Sequence, residues 1–239
     1  MYPTKLKIKK KQKKMNLRGQ TRMSDPKELI DIYDENLTKI GVADRNEAHK
    51  NGAWHRAFHC WIVSGLDDGY VLFQKKGHNK TLFPDYLDVT AAGHYLAGET
   101  LSDGGIREVA EELGINIRIE DLVPLGIKFD IAKTSTILNH EFCDVFLYRK
   151  DTRASDYKPN TDEVEGLVEI NIKEGLDLFG GLKKSATAKG IEWNNNDGIW
   201  RDVSMEVKTT SFVPRVDPYY YRIFIAARGL LNGDSFLSI

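Results

Sequence analysis

Apolar positions fall in short runs separated by polar turns, and the run lengths and periods mark out the elements. Leu29 to Tyr33 and Lys39 to Ala43 flank Asp34-Glu35-Asn36, which reads as a small hairpin on a polar turn, and a short helix fits Asn46 to Lys50. Trp54 to Ser64 is a long apolar strand that Asp67-Asp68-Gly69 turns into Tyr70 to Lys75, and Leu87 to Ala91 leads toward the centre of the chain. Ile115 to Phe129, Ile137 to Arg149 and Glu163 to Ile172 read as further strands, and Lys173 to Phe179 as a short helix. In the last third, Ile191 to Trp193 and Ile199 to Val207 flank the polar stretch 194–198 as a second hairpin. Tyr219 to Leu231 has helical periodicity, with Tyr220, Phe224, Ala227 and Leu231 on one side and Gly233 as its stop. These aromatics are core in character. Strands around one central helix, with another helix later, predict an α+β fold with a mixed sheet between helices.

The central helix carries the chemistry. Ser102 or Asp103 is placed to cap it, Gly104 to Arg107 form its first turn, and Gly114 supplies the left-handed stop. At 3.6 residues per turn Glu108, Glu111 and Glu112 share one face, while Ile106, Val109, Ala110 and Leu113 form the apolar side. Three carboxylates on one face repel each other unless a cation neutralises them. Mg²⁺ or Mn²⁺, hard and oxygen-seeking, is the expected cofactor. Glu99, in the preceding loop, is placed to pair with Arg107 in a structural role.

Composition narrows the class. With 239 residues, 41% hydrophobic and 29% charged, the chain has the make-up of a globular protein of one sizeable domain. The net charge of −1 argues against general nucleic-acid binding, and no apolar run approaches membrane-spanning length. Cys60 and Cys143 both sit in strand-like runs, which favours buried thiols in a reducing, cytoplasmic setting over a disulfide framework. Residues 1–23 form a basic arm, with Lys5, Lys7, Lys9, Lys10, Lys11, Lys13 and Lys14 crowded together, and Met15 and Met23 are alternative starts. The expected organisation is this flexible arm, a catalytic domain over 24–185, and a C-terminal hairpin and helix over 186–239 packed on the same domain. A weak nucleic-acid contact of the arm and a homodimer are left open; a membrane partner is not expected.

Gly93, Glu99, Arg107, Glu108, Val109, Glu111, Glu112, Gly114 and Ile115 fill the spacing G-x5-E-x7-R-E-U-x-E-E-x-G-U, where U is bulky and aliphatic. This resembles the signature of the Nudix hydrolases, and the resemblance implies an α/β/α sandwich with Gly93, Glu99, Arg107 and Gly114 as structural positions. Residues 29–172 further resemble the branch that includes type I isopentenyl-diphosphate isomerase, through His55-Arg56-Ala57-Phe58, the Lys75 to Lys80 segment, Ala92-Gly93-His94 and Asn139-His140-Glu141-Phe142-Cys143. That likeness implies a second metal site at His55 and His94 together with Glu141. His49 stands near the place of another ligand with its spacing shortened by one, and with His59, His78 and His140 it is expected to be structural or exposed. Lys76 and Lys80 are implied to grip a substrate diphosphate.

The chain also departs from the isomerase pattern. Ala92 replaces the catalytic cysteine, Asn139 a ligand carboxylate, and Phe129 a catalytic tyrosine, while Glu108 completes the acids of a hydrolase. The resemblance therefore implies hydrolysis of a small-molecule diphosphate linked to another moiety, with Glu111, Glu112 or Glu141 taking the proton from water. An isomerase of prenyl diphosphates and an inactive diphosphate-binding regulator are the alternatives.

Overall fold

A computed structural model describes residues 28–239 apart from 79, 81 and 134–136, so what was read for the basic arm lies outside the described residues. The first hairpin is β1 (Leu29–Tyr33) and β2 (Lys39–Asp44). Asp44 caps α1 (Arg45–Asn51) by accepting the Asn46 and Glu47 amides, and Gly52, at φ 68°, ends it. There follow β3 (Trp54–Ser64), β4 (Tyr70–Lys76), β5 (Leu87–Asp88), β6 (Ala91–His94) and α2 (Leu101–Leu113). Beyond them lie β7 (Leu122–Lys133), β8 (Leu138–Arg149), β9 (Val164–Asn171), α3 (Ile172–Phe179), β10 (Ala186–Asn194), β11 (Ile199–Val207) and α4 (Tyr219–Asn232).

All the strands join one mixed sheet, with a main path β11-β10-β9-β4-β3-β1-β2. β8 runs parallel to β3, from His55 opposite Glu141 to Val63 opposite Arg149, and carries β7 antiparallel on its far side. β6 pairs with β3 at Ala57–His94 and His59–Ala92.

β3 is buried on both faces, which is why it reads as a continuous apolar run rather than an alternating one. Its successive side chains point to opposite sides of the sheet. Phe58, Cys60 and Ile62 pack with Val109 and Leu113 of α2, whereas Ala57, Trp61 and Val63 pack with Leu178 of α3 and with Tyr219, Ile223 and Phe224 of α4. The sheet thus lies between α2 and the α3–α4 pair, and the α+β expectation holds. No helix among the described residues is long and apolar enough to cross a membrane.

Several boundaries differ from the sequence reading, among them the end of β7, which runs on to Lys133 beyond the expected Phe129. Thr100, not Ser102 or Asp103, is the N-cap of α2, accepting the Asp103 amide at 3.2 Å, so the helix starts at Leu101. The strand expected from Ile115 begins only at Leu122, which pairs with Tyr148. β8 ends one residue later, so 115–121 has no partner strand; it turns instead and buries Ile117 in the α2 cluster. β10 starts at Ala186 rather than Ile191, because its first residues alternate alanine with exposed Thr187 and Lys189, a weak strand signal.

Candidate active site

The loop before α2 is held by Arg107. Its guanidinium donates from Nε to Glu99 Oε1 at 2.9 Å and from Nη2 to Glu99 Oε2 at 3.0 Å, and Nη2 also reaches the His94 carbonyl at 3.0 Å. The Leu96 amide donates to Glu99 Oε2 at 2.7 Å. The expected Glu99–Arg107 pair therefore ties the helix to the loop and to the end of β6.

The three helix acids are graded in depth. Glu111 is exposed, Glu108 is largely covered, and Glu112 is buried. Arg107 Nη1 lies between Glu108, at 2.8 Å, and Glu111, at 3.0 Å, and tempers their repulsion. Glu112 Oε2 accepts the Ala92 amide at 3.0 Å and Gln74 Nε2 at 3.3 Å, so it reaches through to the edge of β6. Burial pushes the Glu112 carboxyl up to about 8, reinforced by the nearby Glu108 charge. Burial likewise raises Glu108 to about 7, against the pull of Arg107. The buried side of α2 is Gly104, Gly105, Val109, Glu112 and Leu113, with Ile106 and Ala110 only half-buried, which corrects the expected apolar stripe. The cause is close approach at the N-terminal turn, where a Cβ on Gly105 would strike the Phe58 ring.

A second group forms on the opposite face of the sheet. In β-pairing, opposed residues share a face, so His94, Ala57, Cys143 and Lys128 make one row, and His55, Glu141 and Asp130 the next. Ala57, with only a methyl, leaves a hollow among larger neighbours. Into it project His55, His94 and Glu141 from the sheet and His49 from α1; the ligand atoms of these four lie within 4.8 Å of one another. Glu141 Oε1 is 3.1 Å from His94 Nε2 and 3.5 Å from His55 Nε2, while His55 Nδ1 meets the Ala53 carbonyl at 2.8 Å. Burial drives His94 down to about 3, and burial with the neighbouring His55 lowers His49 to about 4, so both rings are neutral. Burial would raise Glu141, yet the adjacent His55 and His94 rings outweigh it and hold the carboxyl well below its usual range. His49 is the residue that sequence reasoning set aside; its shortened spacing is recovered because α1 packs against β8.

The histidine group has the donors and the convergence to fit a divalent metal. In the hollow, buried His49 Nδ1, His55 Nε2 and Asn139 Oδ1 have no hydrogen-bond partner, beside neutral imidazoles and an ionised carboxylate. At α2, two acids sit in surroundings that disfavour their charge.

Of the two implied substrate-gripping lysines, Lys80 pairs with Glu163 and lies near enough to favour the Glu112 carboxylate, while Lys76 Nζ is 3.8 Å from Asp88. His78 is exposed and His140 Nδ1 meets the Gly52 carbonyl at 2.8 Å, both as expected. Phe129 is turned away from the hollow, 56% exposed against Trp54 and Phe142. A buried ion-pair group was not foreseen: Arg215 binds Asp88 at 2.6 Å and also Asp130, and Lys128 binds Asp130 at 2.9 Å.

This arrangement of sheet, loop and acid helix is that of a Nudix domain, and residues 53–187 match the NUDIX domain model, so the chain belongs to the Nudix family. Among its relatives, an uncharacterized Nudix hydrolase of Clostridium acetobutylicum is 35% identical over 197 residues, covering 81% of this chain and 93% of that protein. Isopentenyl-diphosphate Delta-isomerase 1 of Photorhabdus laumondii is 31% identical over 148 residues, covering 62% of this chain and 81% of that protein. The crystal structure of a Deinococcus radiodurans protein superposes with a TM-score of 0.50 at 22% identity, over 64% of this chain and 90% of that one, a likeness of fold alone.

Proposed function

We propose that this Nudix protein hydrolyses a diphosphate joined to another moiety, in a reaction dependent on Mg²⁺ or Mn²⁺. The observation that carries the reading is the pair of buried, charge-disfavoured acids Glu108 and Glu112, set by the family loop against the edge of β6. Glu108, Glu111 and Glu112 would hold the cation. When bound, it would neutralise charge developing on the diphosphate and make water more acidic. The chain's own groups do the rest. Glu111 or Glu112 takes a proton from the attacking water, with Glu141 as the alternative base, and Lys76 and Lys80 leave Asp88 and Glu163 to clamp diphosphate oxygens as point charges. Arg107, through Glu99, keeps the helix in register with β6.

Phosphate release from a panel of nucleoside diphosphate derivatives, sugar nucleotides and prenyl diphosphates, assayed with each metal, tests the reading. Cleavage lost in Glu112→Gln supports it; unchanged metal-dependent turnover in that variant removes it.

The three-histidine hollow favours a second reading, isomerisation of a prenyl diphosphate, since the isomerase branch uses histidines there. Ala92 opposes it, because a methyl cannot carry a proton to an alkene. Incubation with isopentenyl diphosphate decides: appearance of the allylic isomer would install this reading.

A further inference from the structure

The two oxygens of Glu141 face different ligand sets. Oε1 points to His94 and His55, as described, while Oε2 lies 3.8 Å from Cys143 Sγ. Cys143, His59 and Glu141 are all buried, and their ligand atoms fall within 4.8 Å of one another. His59 is oriented for this: its Nδ1 is 2.8 Å from the Tyr219 hydroxyl, which also accepts the Trp61 indole N–H at 2.9 Å. With Nδ1 engaged by Tyr219, Nε2 is the ring nitrogen left to serve as a ligand, the kind of outer hydrogen bond that metal-binding histidines characteristically have. The neighbouring cations are already matched by carboxylates, Lys128 by Asp130 and Asp217 and Arg215 by Asp88 and Asp130.

We propose that His59, Cys143 and Glu141 form a site for a borderline-soft divalent ion, Zn²⁺ in kind, and that Glu141 bridges it to an ion held by His49, His55 and His94. One imidazole, one thiolate and one carboxylate are the donors such an ion selects over Mg²⁺. Loading breaks the Cys143 S–H bond, forms the sulfur–metal bond and releases the proton to solvent. Carboxylate-bridged ions stand about 3.5–4 Å apart, a spacing the two oxygens of one side chain can span. The second site rests on the metal reading of the histidine hollow, but not on the identity of the diphosphate.

The test uses Co²⁺ as the probe, added to the full chain in excess Mg²⁺ so that the helix acids are already filled. Wild type is expected to retain two equivalents and to show a near-ultraviolet sulfur-to-cobalt charge-transfer band. Cys143→Ser should lose the band and one equivalent; Cys60→Ser should keep both, because Cys60 faces α2 across the sheet. His94→Ala should lose the other equivalent with the band in place. A wild-type protein without the band overturns the proposal, as does one whose band survives Cys143→Ser. If His94→Ala leaves the cobalt count unchanged while the band persists, the histidine site and the Glu141 bridge fail, and the proposal is overturned. A single equivalent whose band vanishes in both variants replaces the bridged pair by one ion, and so overturns it.

Discussion

The carboxyl group of Glu108 occupies the volume that a Cβ on Gly93 would need. Helix α2 can lie this close to β6 because that strand position has no side chain. Gly93→Ala is expected to push Glu108 off the strand while the sheet stays intact. Thermal unfolding should register a loss of about 1–3 kcal/mol, and metal-dependent turnover should fall on the order of 10- to 100-fold. Wild-type turnover in a folded Gly93→Ala protein would show that the Glu108 position is immaterial.

Glu112→Gln separates chemistry from folding. Gln keeps the shape and an acceptor for the Ala92 amide but removes a charge that burial opposes. Turnover should drop on the order of 10³-fold, while the metal-free melting temperature at pH 8.5 equals or exceeds that of wild type. A variant that is markedly less stable under those conditions would contradict the burial argument.

The same burial sets a pH dependence. Glu108 and Glu112 are raised from 4.5 to about 7 and about 8, so the native state binds their protons more tightly than the unfolded chain does. Metal-free stability is therefore intact below pH 4.5 as far as these groups go, and is lost progressively as pH rises toward 8. Mg²⁺ favours the ionised forms, so its stabilisation should be small at pH 5 and largest above pH 8. Equal Mg²⁺-induced shifts in melting temperature at pH 5.5 and 8.5 would rule this out.

Arg215 anchors the segment before α4 to β5 and β7 through Asp88 and Asp130. Arg215→Met should leave Asp88 and Asp130 with only Lys76 and Lys128 to match them in the interior, costing about 3 kcal/mol, or roughly 10 °C in melting temperature for a chain of this size. Denaturation curves with and without the substitution check it; a shift within error would mean that the carboxylates find other partners.

Much of the architecture was legible in the chain. The α2 loop and helix were visible because a glycine stop and 3.6-residue spacing are local signals, and β3, β4 and both hairpins were visible because their turns are polar and their runs apolar. What the sequence hid is long-range. The depth of Glu112 depends on Ala92 and Gln74 meeting it, and the place of His49 on α1 docking against β8. Lys128, Asp130 and Arg215 drew no assignment from the sequence, since pairwise neutralisation in the interior leaves no trace in one-dimensional spacing. The false strand at Ile115 arose because an isoleucine alternation looks the same whether or not another strand is there to meet it.

The side chains of the histidine hollow come from α1, β3, β6 and β8, and the parallel register of β3 with β8 sets His55 beside Glu141. A nascent chain emerging from the ribosome would display the whole acid helix well before Glu141 has been synthesised. On the proposed reading, cation capture in the hollow would wait until β8 has paired with β3, so metal retention there would report that this part of the sheet has formed, whereas metal contacts at α2 alone would not.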